Sequence, residues 1–238
     1  MNAVLLIGLA LTLVATTLLW RRQRALRRQA HIRDFVLPKG LFDRLRMHHP
    51  QLTPKDCQLV AHGLRQFFLA CLKSGRAPVA MPSQVADDLW HEFILYTRAY
   101  QDFCRRAFGR FLHHTPAIVL GPQRDRNAGL RRCWWHVCHE EHIDPRAPLR
   151  LPLLFALDTK LGIAGGFRYV PDCRGPRRLD DGAAASGTTH CAADFHSDSI
   201  DGGTAGFGDD SPGSPASSDG GSSDGGCSGG GCSSGGGD

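Results

Sequence analysis

The feature that most constrains this chain is an uncharged run at its N-terminus. Residues Ala3 to Trp20 read AVLLIGLALTLVATTLLW, with no charged residue. That is only slightly short of the ~20 residues with which a helix crosses a hydrocarbon core. Trp20 falls where an interfacial aromatic belongs. Five arginines follow, Arg21, Arg22, Arg24, Arg27 and Arg28. A cleaved signal peptide has the reverse order, with positive charge before the apolar run and a small-residue cleavage site after it. A dense arginine cluster resists translocation, so the expected topology is single-pass, N-terminus outside and body cytoplasmic. As a stop-transfer signal the arginines are sufficiently explained. Anionic lipid headgroups are a further contact open to them, at about 1 kcal/mol per basic residue near the surface. No specific nucleic-acid partner is expected, because the position of the basic run beside the span accounts for it.

Placement governs the cysteines. In a reducing compartment, nine thiols read as buried apolar groups or metal ligands before disulfides, and an odd count fits a disulfide framework poorly. Charge is also divided. Residues up to Cys173 hold 25 Lys and Arg against 13 Asp and Glu, a net of +12; from Arg174 on, 3 stand against 10, a net of −7. That basic body and acidic tail attract each other, and the body attracts anionic surfaces.

The fold class expected is mainly α. Thr53, Pro54 and Asp56 form a helix start with cap, first-turn proline and capping-box acid. The helix should stop near Ser74-Gly75. At about 100° per residue, Cys57, Val60, Leu64, Phe68 and Cys71 share one face and read as core, while His62 points to solvent. A second helix is expected from Ser83 to Gly109. On that wheel Leu89, Phe93, Tyr96, Thr97, Tyr100, Cys104 and Ala107 form an apolar arc edged by Trp90 and Phe108. Asp87, His91, Arg98 and Asp102 lie on its polar side. A third helix is expected from about Arg124 to Glu141, with Leu130, Cys133, Trp134 and Val137 facing the core. His136 and His139 lie off that face and read as solvated. LPLLFALDTKLG predicts a short helix ending at Gly162, and GGFRYV a brief strand before Pro171.

From Arg174 to Asp238 the chain holds 18 of its 28 glycines and few large apolar residues. Such a segment cannot bury enough surface to offset backbone entropy and is expected to be disordered. Cys227 and Cys232, set in glycine near the terminus, read as part of that flexible tail; metal binding and oxidation are the chemistry their thiols offer. The expected plan is a transmembrane anchor over 1–20, a basic juxtamembrane segment over 21–36, a helical domain over 37–173 and a Gly/Ser/Asp/Cys-rich tail over 174–238.

The string VADDLWHEFILYTRAYQDFCRRAFGRFLHHTP resembles the core motif of the glycine-rich-domain-containing protein family. The motif's acidic residue falls at Asp87 or Asp88, its Trp-His pair at Trp90-His91, and its Thr and Tyr at Thr97 and Tyr100. Its Cys falls at Cys104, its Phe-Gly at Phe108-Gly109 and its His-x-Pro at His114-Thr115-Pro116. LPLLFALDTKLGIAGGFRYVPDC resembles the continuation in bacterial members, which implies a bacterial inner membrane. The resemblance covers most of Leu37 to Cys173. It implies no activity, because the family's domain has none established. Its plant members, sometimes joined to an RNA-binding module, are linked to development and stress. No RNA-binding motif occurs here.

Three chemistries are open to the residues. A divalent metal such as zinc needs imidazole, thiolate or carboxylate groups that converge. Asp87, His91, His113 and His114 are the candidate set. Asp87 and His91 sit one helical turn apart, and the His113-His114 pair folds back if the chain turns after the helix. Cys104 lies on the apolar arc, away from His91. The alternative is a structural hydrogen bond from His91 and a loop position for the histidine pair. WWHVCHEEH offers a second set, His136 with His139 and Cys138 with His142. A Cys-His nucleophile has no local signature here, and there is no phosphate loop, Rossmann glycine pattern or GxSxG elbow. The leading expectation is a membrane-tethered cytoplasmic module that binds an unidentified protein partner or a ligand, without an assigned catalytic residue. The competing one is a metal-dependent enzyme or sensor built around His91.

Overall fold

The computed structural model describes residues 2–114, 124–171 and 189–191. The chain divides into two units, Met1–Phe207 and Gly208–Asp238, and every described residue belongs to the first. Among the described residues there are seven helices and one two-stranded parallel sheet. The mainly α expectation holds.

Helix α1, Asn2–Asp34, is one continuous element of 33 residues. It contains the chain's one helix, among those described, that is long and apolar enough to cross a membrane, and no other part of the structure covers that span. The hydroxyls of Thr12, Thr16 and Thr17 donate back to helix carbonyls at 2.8–2.9 Å. This gives each threonine hydroxyl of the run a partner within the helix, which suits an apolar surrounding. The helix does not break at the arginines. It runs on until Ile32 is fully buried in the core, so packing begins ahead of Leu37.

Helix α3, Pro54–Lys73, is the central element. Its capping box is complete: the Asp56 amide donates to Thr53 Oγ1 at 3.2 Å, and the Thr53 amide donates to Asp56 Oδ2 at 2.9 Å. Cys57, Val60, Leu64, Phe68 and Cys71 are all buried and His62 is exposed, as the wheel predicts. Helices α1, α2 (Leu41–His48), α4 (Gln84–Leu95), α6 (Arg124–Glu140) and α7 (Leu153–Lys160) all pack on α3. The α7 crossing is very close. A Cβ at Gly63 would lie 2.5 Å from Leu157 Cδ1, so a larger residue there forces the buried Leu157 side chain to shift. Helix α2 has no counterpart in the sequence expectations, because its eight residues follow Gly40, which offers no side-chain cap.

The helix expected from Ser83 to Gly109 is two helices. α4 ends at Leu95, Tyr96 adopts φ −79° and ψ 60°, and α5 runs from Thr97 to Ala107. The break turns two different faces onto the core. α4 packs on α2, α3 and α7, while α5 packs on α1. Phe103, off the arc of a continuous helix, is thereby buried against Phe35, Phe68 and Phe93. Thr97, on that arc, is exposed.

α6 and α7 fall where the sequence places them, and Trp134 packs edge-on to Phe155. His136, however, is buried rather than solvated, at 8% exposure. α3 packs along α6 there and brings Lys73 near. Strand β1, Arg168–Val170, is the one expected before Pro171, and it pairs with β2, Thr189–Cys191. β2 gives regular structure to three residues of the segment expected to be disordered. The rest of that segment, with Cys227 and Cys232, lies outside the described residues. The five cysteines whose side chains are described carry no disulfide and are buried.

Candidate metal centre on α4

The first turn of α4 is held from below by a residue with no motif to announce it. Asp158, 3% exposed on α7, accepts four hydrogen bonds. Ser83 Oγ and the Val85 amide donate to Oδ1 at 2.7 and 3.2 Å. The Gln84 and Phe167 amides donate to Oδ2 at 2.7 and 2.9 Å. Helix starts leave such amides without partners and favour negative charge. Asp158 thus supplements the Ser83 cap and sets the position of α4. The only sequence signal was a lone carboxylate in an apolar stretch.

One turn into α4 stands Asp87. The chain returns to it after α5. Gly109 takes φ +71°, a conformation only glycine adopts freely. Phe111 then packs edge-on to Tyr100 at 5.2 Å. Trp90 Nε1 donates to the Tyr100 hydroxyl at 3.1 Å, and that hydroxyl donates to the Leu112 carbonyl at 2.5 Å. This buried relay pins the returning segment against α4 and delivers His114 to Asp87.

His114 Nε2 donates to Asp87 Oδ1 at 2.9 Å, and His91 Nδ1 lies 3.6 Å from Asp87 Oδ2. The two imidazole rings are 4.1 Å apart, and Trp90 closes the other side of His114 at 4.5 Å. One ligand atom from each of Asp87, His91 and His114 lies within 4.8 Å of the others. Zinc bonds of ~2.0–2.2 Å at tetrahedral angles put ligand atoms ~3.4 Å apart, so separations of up to 4.8 Å have to close by no more than about 1.4 Å and the 2.9 Å Asp87–His114 contact to open by about 0.5 Å. Side-chain exposure is 12% for His114 and 21% for Asp87 but 51% for His91. The cluster is therefore walled on one side and open on the other.

The polar surface continues around α4. His49 Nε2 meets Asp88 Oδ2 at 2.8 Å, and His48 Nε2 meets Glu92 Oε1 at 3.1 Å. These pairs tie the end of α2 to α4 and were not anticipated.

Three of the four candidate ligands therefore come together. His113 does not; it is exposed and stacks near Phe111 at 4.9 Å. Cys104 is fully buried, its thiol pushed up by burial, and stays on the core side. The WWHVCHEEH set does not converge. His136 is held down to about 4 by burial and then by Lys73 and His139. His139 is exposed, with Nδ1 donating to the Trp135 carbonyl at 2.7 Å. Cys138 is pushed up to about 12 by burial, and His142 is exposed in a left-handed turn.

Fold and site together define a helical domain behind an apolar N-terminal helix, with an open carboxylate–imidazole cluster on its surface. The chain belongs to the UCP032817-like family, whose model matches residues 27–195. That family is uncharacterised, so membership brings no activity with it. No curated protein and no solved structure matches the chain.

Proposed function

We propose that this is a single-pass membrane protein whose helical domain, residues 37–173, is a cytoplasmic sensor or binding module that takes a divalent metal such as zinc. The observation that carries this reading is the convergence of Asp87, His91 and His114 within 4.8 Å. Two imidazoles and one carboxylate are ligands that suit zinc, and three protein ligands with an open fourth position leave room for water or a partner's side chain. The motif that resembles the glycine-rich-domain-containing proteins includes His91 and His114, with its acidic position at Asp87 or Asp88. Residues 1–20 act as the anchor, and the arginines after them favour a cytoplasmic domain and an inner-membrane location. The exposure of His91 also favours a second reading, metal-assisted chemistry at the open position.

The test is metal content. The full chain, purified in mild detergent, should retain about one zinc after dialysis and give the visible spectrum of a tetrahedral site when loaded with cobalt(II). His114→Ala and Asp87→Asn should lose both. Metal-free wild-type protein whose stability is unchanged in His91→Ala would sink the proposal.

A further inference from the structure

The basic half of α1 does more than follow the apolar run. Trp20, Arg21, Arg24, Ala25, Arg28 and Gln29 face Leu72 and Lys73 at the end of α3 across a cleft of about 660 Å³, within the usual range for small-ligand sites. Arg21, Arg24 and Arg28 are spaced i, i+3, i+7, so they form one stripe of the helix. Arg22 and Arg27 do not line the cleft. A stop-transfer signal needs charge but no such sorting, and no lysine from a distant helix.

The charges are not balanced locally. Among the described residues no carboxylate lines the cleft. Lys73 Nζ bonds Glu140 Oε2 at 2.7 Å, but Glu140 also holds Arg33 at 2.6 Å, leaving that trio one positive charge in excess. Arg24 lies over the Trp20 ring at 5.2 Å. The Arg28 guanidinium passes close against Gly109, where an added Cβ would collide with it. Burial first, then repulsion from Arg24, holds Arg28 below its ordinary value, and an anion in the cleft relieves that repulsion. At 1.5 Å per residue Arg24 stands about 6 Å beyond Trp20 and Arg28 about 12 Å. A headgroup layer some 5–8 Å deep lies on each side of the hydrocarbon core, so Arg24 stands within it and the Arg28 backbone beyond it; the Arg28 guanidinium reaches back beside that of Arg24, both lying close to the same point at Gly109.

We propose that this cleft binds the phosphate headgroup of one anionic phospholipid, with Arg21, Arg24, Arg28 and Lys73 around the phosphate and the acyl chains running back along the apolar face of α1. This rests on the reading of residues 1–20 as an anchor, which extraction of membranes with alkaline carbonate tests separately: release of the wild-type chain defeats the anchor, whatever the lipid result.

The lipid test is native mass spectrometry of the full chain in detergent with added phosphatidylglycerol or phosphatidylcholine. A one-to-one adduct with phosphatidylglycerol is expected, weakened roughly tenfold or more when two cleft cations are lost in Arg24→Gln with Arg28→Gln. Arg22→Gln with Arg27→Gln removes the same charge from the same helix and should leave the adduct intact. Equal binding of both lipids, equal weakening by both double variants, or complete displacement of the lipid by millimolar inorganic phosphate would each overturn the proposal.

Discussion

Asp158 gives the sharpest handle on how the site is held. Asp158→Ala removes the acceptor of four hydrogen bonds and leaves Ser83 Oγ and three amides, those of Gln84, Val85 and Phe167, facing a void. Hydrogen bonds to a charged group contribute about 1.5–3 kcal/mol each, and such values within one network do not add fully. A loss of about 4–5 kcal/mol is therefore expected, against a whole-domain stability of about 5–15 kcal/mol. Asp158→Asn separates charge from volume. It fills the same space but turns an amide NH2 toward two existing donors, so about 3 kcal/mol should still be lost. The measurement is urea unfolding of the full chain in detergent, followed by emission from buried Trp90 and Trp134. The first turn of α4 carries Asp87, so metal retention should fall in both variants even below the unfolding transition. An Asp158→Asn variant within 1 kcal/mol of wild type would refute the view that this carboxylate holds α4 in place.

Two further predictions concern groups that the fold alone makes critical. His136 is neutral when folded, with its value lowered to about 4. In the unfolded chain it titrates near ~6.5. Unfolding therefore takes up a proton between those values, and stability falls as pH drops from about 6.5 toward 4, with no effect above that window. Between pH 7.5 and 5 the wild type should lose about 2 kcal/mol more than His136→Gln in the same urea assay; equal losses would refute the assignment. At the α3–α7 crossing, Gly63→Ala should destabilise by about 1–2 kcal/mol despite the better helix propensity of alanine, because its Cβ meets Leu157 at 2.5 Å. Combined with Leu157→Ala, it should cost at least about 1 kcal/mol less than the sum of the single changes, and strict additivity would count against the contact.

The sequence by itself determined what depends on neighbours within a few turns. The apolar run from Ala3 to Trp20 needs only length and missing charge. The start of α3 needs Thr53, Pro54 and Asp56. The ends of α3 and α7 follow from Gly75 and Gly162, both at positive φ, and the buried face of α3 follows from its own period. Asp87 and His91 were legible as a pair because one helical turn separates them. Tertiary structure decided everything that depends on where one element lies against another. The break at Tyr96 arises because α4 and α5 pack on different helices. The return of His114 depends on Tyr100 reaching the Leu112 carbonyl, and the exclusion of His113 follows from the path the chain then takes. Burial of His136 required α3 beside it, and the role of Asp158 required α7 beneath α4. Local backbone preferences act over one turn, whereas the convergence of side chains far apart in the chain is set by which helix faces bury apolar surface together. For that reason the span and the individual helices could be read from the residues, and the three-residue cluster and the cationic cleft emerge only from the packed chain.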